Sequence, residues 1–321
     1  MYIIGIDIGG MSIKGGVVDG ANGTIVCKDS VVTKAAAGID VLAADTAGLI
    51  GALLGKTSLK ISDVAGIGIG MPGTVDSKTG RVIYSNNIRL VDAPIVEKLR
   101  KYYDNIPIEI NNDANAAALG EVRFGESKDY KNIVFITLGT GVGTGLIVDG
   151  KLIEGNNSAG AEGGHMVIRV GGAVCTCGRR GCFEAYASAA ALVRQTKAAM
   201  QKNKDSLMHK LARERNKISG RTAFLAAAEG DKTAAAVVNR YIRYVGEGIV
   251  NLANIFRPDV VLIGGGVSNE GDALILPLQE FMDNYCFGIK NGNPRVLVKK
   301  ASLTNDAGIF GAASLIVSSV K

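Results

Sequence analysis

Two stretches of this chain, 130 positions apart, carry the same hairpin pattern. The opening run Tyr2-Ile3-Ile4-Gly5-Ile6-Asp7-Ile8-Gly9-Gly10 is rich in β-formers, stops on glycines, and resumes as an apolar run from Gly15 to Asp19. That reads as a glycine-turned β-hairpin. Residues 133–149 do the same, and sliding one stretch over the other aligns Ile6 with Ile136, Gly9 with Gly139, Gly15 with Gly145, Val18 with Val148, Asp19 with Asp149 and Gly20 with Gly150. Two related units predict two related domains, each opening on such a hairpin. The length of 321 residues agrees, at the usual ~100–200 residues per domain. Between and after the hairpins, strands alternate with helices. Residues 64–73 and 108–112 read as strands, and 92–104, 185–200 and 232–256 as helices, the last with Pro258 just beyond its end. Alternating β and α implies covered, partly parallel sheets, an α/β fold.

Composition narrows the class. With 47% hydrophobic and 21% charged residues the chain has the balance of a folded globular protein. Glycine fills 43 positions, nearly twice the usual ~7%, which predicts many tight turns and places where backbone approaches something closely. No apolar run reaches the ~18 residues of a membrane span, and no signal peptide is evident, so neither a membrane nor a secreted setting is expected. Five cysteines are an odd number for a disulfide framework, and a reduced cytoplasm fits better. The net charge of +6 is modest, and the dense basic stretch from Lys202 to Arg221 is interleaved with Asp205 and Glu214. A solvated helical face explains it, and nucleic acid is not called for.

Four constellations could carry chemistry. In Asp7-x-Gly9-Gly10-x-Ser12-x-Lys14, amides at a glycine turn can face an anion, and an aspartate at the strand end can hold a hydrated magnesium ion. A single hairpin of this kind needs no ligand to explain it. The second turn, Gly139-Thr140-Gly141-Val142-Gly143-Thr144, has more glycines than a turn requires and adds two hydroxyls, so a pair of phosphate clamps is expected. Gly264-Gly265-Gly266 follows an apolar strand and resembles any α/β ligand turn, but none of the three turns has the G-x-G-x-x-G spacing of a dinucleotide fold. Most specific is His165, followed after nine residues by Cys175-Thr176-Cys177-Gly178-Arg179-Arg180-Gly181-Cys182. These four soft or borderline ligands match a closed tetrahedral zinc site. His209 has no such company and is expected at the surface. Glu162 and Glu184 flank the cysteine loop, where a bound metal would order two carboxylates suited to a ligand rich in hydroxyls. Asn112-Asp113 stands where a strand gives way to an alanine-rich helix. Asp113 there is either a helix cap or, in the company of two phosphate clamps, the carboxylate that takes a proton from an attacking hydroxyl.

Taken together, these motifs resemble the ROK family of repressors and sugar kinases over essentially the whole chain. The stretches that carry the resemblance are GIDIGGMSIKGGVVD, GIGIGMPGTVD, NNDANAAALGE, TLGTGVGTG, EGGHM followed by CTCGRRGCFE, and IGGGV. The resemblance implies an actin-like fold, two ribonuclease-H-like domains with a cleft between them. On that pattern a smaller N-terminal domain is expected over 1–114, with the C-terminal helix 306–321 packing back on it, and a larger one carrying the zinc loop over 115–305. It further implies Asp113 as general base and Asn112, Asp113, Glu162, His165 and Glu184 as sugar contacts, with Asn87 as one more. Asp7, Gly9, Gly10, Ser12, Lys14, Gly139, Thr140, Gly141, Gly143 and Gly264 to Gly266 would serve ATP and its Mg2+. His165, Cys175, Cys177 and Cys182 would ligate a structural Zn2+. The activity implied is ATP-dependent phosphorylation of a hexose at its 6-hydroxyl, with glucose foremost and N-acetylmannosamine, mannose, fructose or allose as alternatives. A sugar-sensing regulator without catalysis is a further reading. The family's repressors add a DNA-binding segment before the first strand, and with that strand at Tyr2 none is expected here. A chaperone-like ATPase would leave the cysteine loop unexplained. Family members resemble dimers or tetramers, so a homo-oligomer is expected. One departure stands out: Met11 occupies a position where the family usually has Thr.

Overall fold

The N-terminal alternation folds into strands β1 (Tyr2–Ile8) and β2 (Ser12–Asp19), antiparallel with Ile6 opposite Gly15, and β3 (Thr24–Val32) continues the meander. Strands β4 (Val64–Met71) and β8 (Ile108–Asn112) extend the sheet in parallel beyond β1, giving the order β3-β2-β1-β4-β8. Strands β5 (Thr74–Asp76), β6 (Arg81–Ser85) and β7 (Leu90–Ala93) form a small separate sheet. This computed structural model describes residues 1–319, in two units. The first comprises Met1–Tyr130, Lys151–Ala161 and the C-terminal segment from Ser302, with a two-residue strand β11 (Lys151–Leu152).

In that unit the side chains of β1 alternate between two covers. Ile4, Ile6 and Ile8 pack with Leu49, Ile50 and Leu53 of helix α1 (Ile39–Thr57) and with Ile95 and Leu99 of α2 (Ile95–Arg100). Ile3 packs with Ile309, Ala313 and Ile316 of α10 (Ala307–Ser319) on the opposite face. A strand buried on both faces reads as an unbroken apolar run, which is why Tyr2 to Ile8 shows no polar alternation except Asp7. Helix α10 lies so close to the sheet that a Cβ on Gly5 or Gly68 would run into the carbonyls of Ile309 and Ala312. Part of the glycine excess therefore sits inside strands, not at turns.

The division expected at 114/115 and 305/306 is corrected by this packing. Helix α3 (Asp113–Arg123) lies against α10, with Gly120 and Gly311 nearly backbone to backbone: a Cβ on Gly120 would stand 2.8 Å from the Gly311 nitrogen. Glu121 of α3 is fully buried, and its carboxylate accepts hydrogen bonds from the Ser302 amide (3.0 Å), the Ser302 hydroxyl (2.6 Å) and the Leu303 amide (2.8 Å). These contacts hold α3 and the segment from Ser302 in the first unit, and the two units are of nearly equal size. Of the expected helix 306–321, residues 320 and 321 lie outside the described residues.

The second unit, Lys131–Gly150 and Glu162–Ala301, repeats the hairpin as β9 (Ile133–Leu138) and β10 (Val142–Val148). Parallel strands β12 (Val260–Gly264) and β13 (Leu297–Lys300) follow in the order β10-β9-β12-β13. The registers differ by one residue, because Ile6 faces Gly15 whereas Ile136 faces Thr144 instead of Gly145. The second turn is thus one residue tighter than the first. Around this sheet run α4 (Glu184–Ala187), α5 (Ala189–Lys202), α6 (Met208–Glu214), α7 (Gly220–Ala228), α8 (Lys232–Phe256) and α9 (Asp272–Tyr285). Helix α8 starts where the Asp231 carboxylate accepts from the Ala234 amide (3.0 Å) and stops at Arg257, whose left-handed backbone (φ 43°) precedes Pro258.

Three expectations shift. The helix expected over 92–104 shrinks to α2, because β7 claims its start and Pro94 caps it. The one over 185–200 breaks at Ser188, whose extended backbone and hydroxyl cap α5 through the Ala191 amide (3.1 Å). His209 is half-buried instead of exposed, its Nε2 lying 3.0 Å from the Met200 carbonyl and 3.1 Å from that of Asn203 at the end of α5. Among the described residues, no helix is long and apolar enough to cross a membrane.

Candidate active site

In the first unit, three parallel strands deliver polar residues to one edge. Asp7 lies opposite Gly70 and Gly70 opposite Asn111, so the ends of β1, β4 and β8 present Asp7, the turn after Met71, and Asn111-Asn112-Asp113 side by side. Carboxyl ends of parallel strands are where α/β sheets place ligands. Asp7 and Lys14 oppose each other across the hairpin, and Ser12 shares the face of Lys14. Burial pushes the Asp7 carboxyl up, and the charge of Lys14 opposes that shift. Gly308, in the first turn of α10, makes room for the carboxylate: a Cβ there would collide with it. The turn is held from behind by Thr33, whose hydroxyl donates to the Gly9 carbonyl (2.7 Å) and whose amide donates to the Met11 carbonyl (3.1 Å). Its tip is Gly10-Met11, with Met11 85% exposed and Gly10 beside the backbone of Asn87.

At the start of α3 the helix cap is Asn112, not Asp113. Asn112 Oδ1 accepts from the amides of Ala114 (2.9 Å) and Asn115 (3.3 Å), and its Nδ2 donates to the Gly73 carbonyl (3.0 Å); the Ala114 amide also donates to Asp113 Oδ1 (2.9 Å). Asp113 is thereby fixed as the first helical residue, where the partial positive charge of the helix terminus lies beside its carboxylate. Behind it is a network that the sequence did not reveal. Asn111 Nδ2 and the Ser77 hydroxyl both donate to Glu154 Oε1 (2.9 and 3.0 Å), while Asn111 Oδ1 accepts from the Asn112 amide (2.8 Å) and Asn115 Nδ2 (3.1 Å). Glu154 stands far along the chain with no motif around it, so nothing in its neighbourhood could have flagged it.

In the second unit the turns after β9 and β12 also emerge at one edge, since Gly264 lies opposite Thr137 and a Cβ on Gly265 would press on Leu138. The tip between Gly139 and Gly141 is the exposed Thr140 alone. Thr144, the other hydroxyl of the motif, is buried and accepts from the Gly163 amide (2.9 Å), so it braces β10 against the 3-10 turn Gly163–His165. Gly139 and Gly266 look onto open space, as a ligand-facing backbone requires.

Glu184 joins this turn to the cysteine loop. Its Oε2 accepts from the Val142 amide (3.1 Å), and its Oε1 accepts from the Thr176 hydroxyl (2.6 Å) and the Cys175 thiol (3.5 Å). A Cβ on Gly141 would strike Oε2. The donor atoms of His165, Cys175, Cys177 and Cys182 all lie within 4.8 Å of one another. The Cys175 sulfur is 3.6 Å from His165 Nδ1, and the sulfurs of Cys177 and Cys182 are 3.7 Å apart. Four ligands at ~2.3 Å around a tetrahedral ion stand roughly 3.8 Å from one another, so this donor set fits one. Burial pushes the Cys175 thiol up and that of Cys182 up to about 12, while the Arg179 amide hydrogen-bonded to Cys177 draws its thiol down. A cation among them reverses the cost of ionising the buried sulfurs. Glu162, just before the turn, has its carboxyl raised by burial, with the Glu184 carboxylate adding to the shift and His165 opposing it.

Residues 3–319 match the model of the ROK family. The chain is 36% identical to a glucokinase of Thermotoga maritima over 322 residues, 98% of this chain and 97% of that protein. It is 35% identical to a glucokinase of Halalkalibacterium halodurans over 320 residues, 98% and 94% of the two chains. Among solved structures, a ROK family glucokinase from Streptomyces griseus, in complex with glucose and AMPPNP, superposes with a TM-score of 0.84 at 35% identity, covering 98% of this chain and 99% of that one. The fold expected from the sequence, the actin-like one of ROK sugar kinases, is the fold this likeness gives.

Proposed function

The chain belongs to the ROK family, and on that premise we propose that it is a glucokinase, transferring the γ-phosphoryl group of ATP to the 6-hydroxyl of glucose. The observation that carries the proposal is the position of Asp113, set as the first residue of α3 by the Asn112 cap, at the same sheet edge as Asp7 and the first glycine turn. The 35–36% identity to glucokinases over nearly whole chains makes glucose the sugar of choice.

In this reading Asp113 takes the proton of the 6-hydroxyl while its oxygen attacks the γ-phosphorus, the bond to the bridging oxygen of ADP breaks, and ADP leaves. Gly9, Gly10, Ser12, Lys14, Gly139, Thr140, Gly141 and Gly143 offer donors to the phosphate oxygens, and Gly264 to Gly266 border the adenosine. Asp7 would orient the magnesium ion that comes with the nucleotide, and that ion would neutralise the charge that moves between the oxygens. Asn87, Asn112, Glu162, His165 and Glu184 would read the sugar's hydroxyls. Asn112 and Glu184 also have structural duties, but a carboxylate accepts at about four positions, so Glu184 retains capacity beyond Val142 and Thr176. Zinc on His165, Cys175, Cys177 and Cys182 would fix the backbone that carries these carboxylates, and supplies no chemistry to the transfer.

The test is a coupled ADP-release assay across glucose, mannose, fructose, allose and N-acetylmannosamine. Glucose is expected to give the highest kcat/KM. A higher value with another sugar would reassign the substrate within the family, and glucose binding without ADP release would point to a sensor.

A further inference from the structure

Helix α8 forms one wall of an open surface cavity of about 680 Å³ in the second unit, and the exposed Arg169, Arg240 and Arg243 are the cations of its lining. None of these residues figures in the proposed reaction. The arginines that form ion pairs among the described residues are Arg81, Arg221 and Arg295, so the three around this cavity have no such partner. Arg240 and Arg243 are three apart on one helix face, and Asn239, Tyr244 and Glu247 complete the polar lining. A smaller hollow of about 310 Å³ continues past Arg240 and adds Lys202 at its far side.

We infer that this cavity binds a phosphorylated sugar as a ligand separate from the substrates. Three guanidinium groups in one concavity repel one another and focus positive potential there, and arginine pairs bidentately with phosphate. The one carboxylate of the lining, Glu247, selects against a bare anion and for a ligand that also brings hydroxyl donors. Asn239 and Tyr244 add neutral partners of the same kind. The volume lies within the ~300–1,000 Å³ of small-molecule sites.

The cavity shares a wall with the cysteine loop. Ile168 and Arg169 donate their amides to the Gly181 carbonyl (2.9 and 3.2 Å) between Cys177 and Cys182. Tyr244 packs against Tyr186 with ring centroids 4.6 Å apart and planes tilted by 42°, and the Tyr186 hydroxyl accepts from the Ala173 amide (2.6 Å) just ahead of Cys175. A ligand on Arg169 and Tyr244 therefore rests on the backbone that positions Glu184. The binding stands independently of the kinase reading; only an effect on turnover depends on it.

The experiment is calorimetric titration of the full chain with glucose 6-phosphate, in the presence of saturating glucose and ADP, with inorganic phosphate at equal ionic strength as a second probe. Wild type is expected to bind glucose 6-phosphate at least tenfold more tightly than the double variant Arg240→Glu/Arg243→Glu, and more tightly than it binds inorganic phosphate. The double variant should keep its basal ADP-release rate. If it does not fold, Arg243→Ala is expected to weaken binding in the same direction. Equal affinity in wild type and variants, or no binding to wild type, overturns the site. Phosphate binding as tightly as the sugar phosphate overturns the ligand class. Loss of an oligomer in the double variant, seen by sedimentation without any ligand effect, makes the face a contact between copies and overturns the proposal as well.

Discussion

Asp113 owes its position to its neighbour. Asn112 caps the helix through the Ala114 and Asn115 amides, and the Asp113 carboxylate shares the Ala114 amide (2.9 Å), so the proposed base is oriented by the same helix terminus. Asp113→Asn keeps the shape and removes the base, so kcat should fall by about 10²–10⁴ with glucose affinity unchanged by calorimetry. A near-normal rate would remove Asp113 from that role. Asp7 gives a prediction of opposite sign for stability and activity. Its carboxyl is raised in the folded protein, so the folded state binds the proton more tightly than the unfolded one and stability falls as pH rises through that window. At neutral pH Asp7→Asn is therefore expected to raise Tm while lowering the rate with Mg-ATP, and a lower Tm in the variant would contradict the burial argument. Met11, at the exposed tip of the first turn, offers no hydrogen bond to a phosphate. Met11→Thr should lower the KM for ATP several-fold, read from initial rates at saturating glucose, and leave the KM for glucose unchanged.

At the scale of elements, Glu184 shows how the cysteine loop and the second glycine turn become one piece. Gly141→Ala places a methyl where Oε2 sits, so the KM values for ATP and glucose should rise together; a change in only one would separate the loop from the turn. Purified protein should carry one zinc per chain, and stripping it should lower glucose affinity and Tm together. Much of this scale was legible in the sequence. The periodicity of Val238, Tyr241, Ile242, Val245, Ile249 and Leu252 and the position of Pro258 place α8 where it is found, and the Cys/His spacing marked four donors that do converge. The duplicated hairpin was readable as well, but not the one-residue difference in turn length, which depends on register and leaves Thr140 alone at the second tip. Thr144 is the second hydroxyl of the glycine motif, and alternation along β10 turns it inward, where it braces the Gly163 amide. Asn111, Ser77 and Glu154 meet only through tertiary structure, and no local spacing announces such a network.

At the scale of the whole molecule, the unit boundaries follow from long-range packing. Glycines in the middle of strands looked like turn formers, whereas Gly5 and Gly68 exist to admit the backbone of α10. Overpacking there with Gly68→Ala should cost about 1–3 kcal/mol, read as a shift in the urea midpoint. The expected boundaries ignored Glu121, whose three hydrogen bonds tie α3 to the segment from Ser302. In the first unit the parallel strands end at Asp7, the turn after Met71 and Asn112-Asp113, and in the second β9 and β12 run into glycine turns. The direct test is the release of ADP by purified protein given Mg-ATP with and without glucose, followed by identification of the sugar product. The account predicts glucose-dependent ADP release with glucose 6-phosphate formed in equal amount, and its loss in Asp113→Asn; protein that binds glucose yet releases no ADP above the sugar-free background would contradict it.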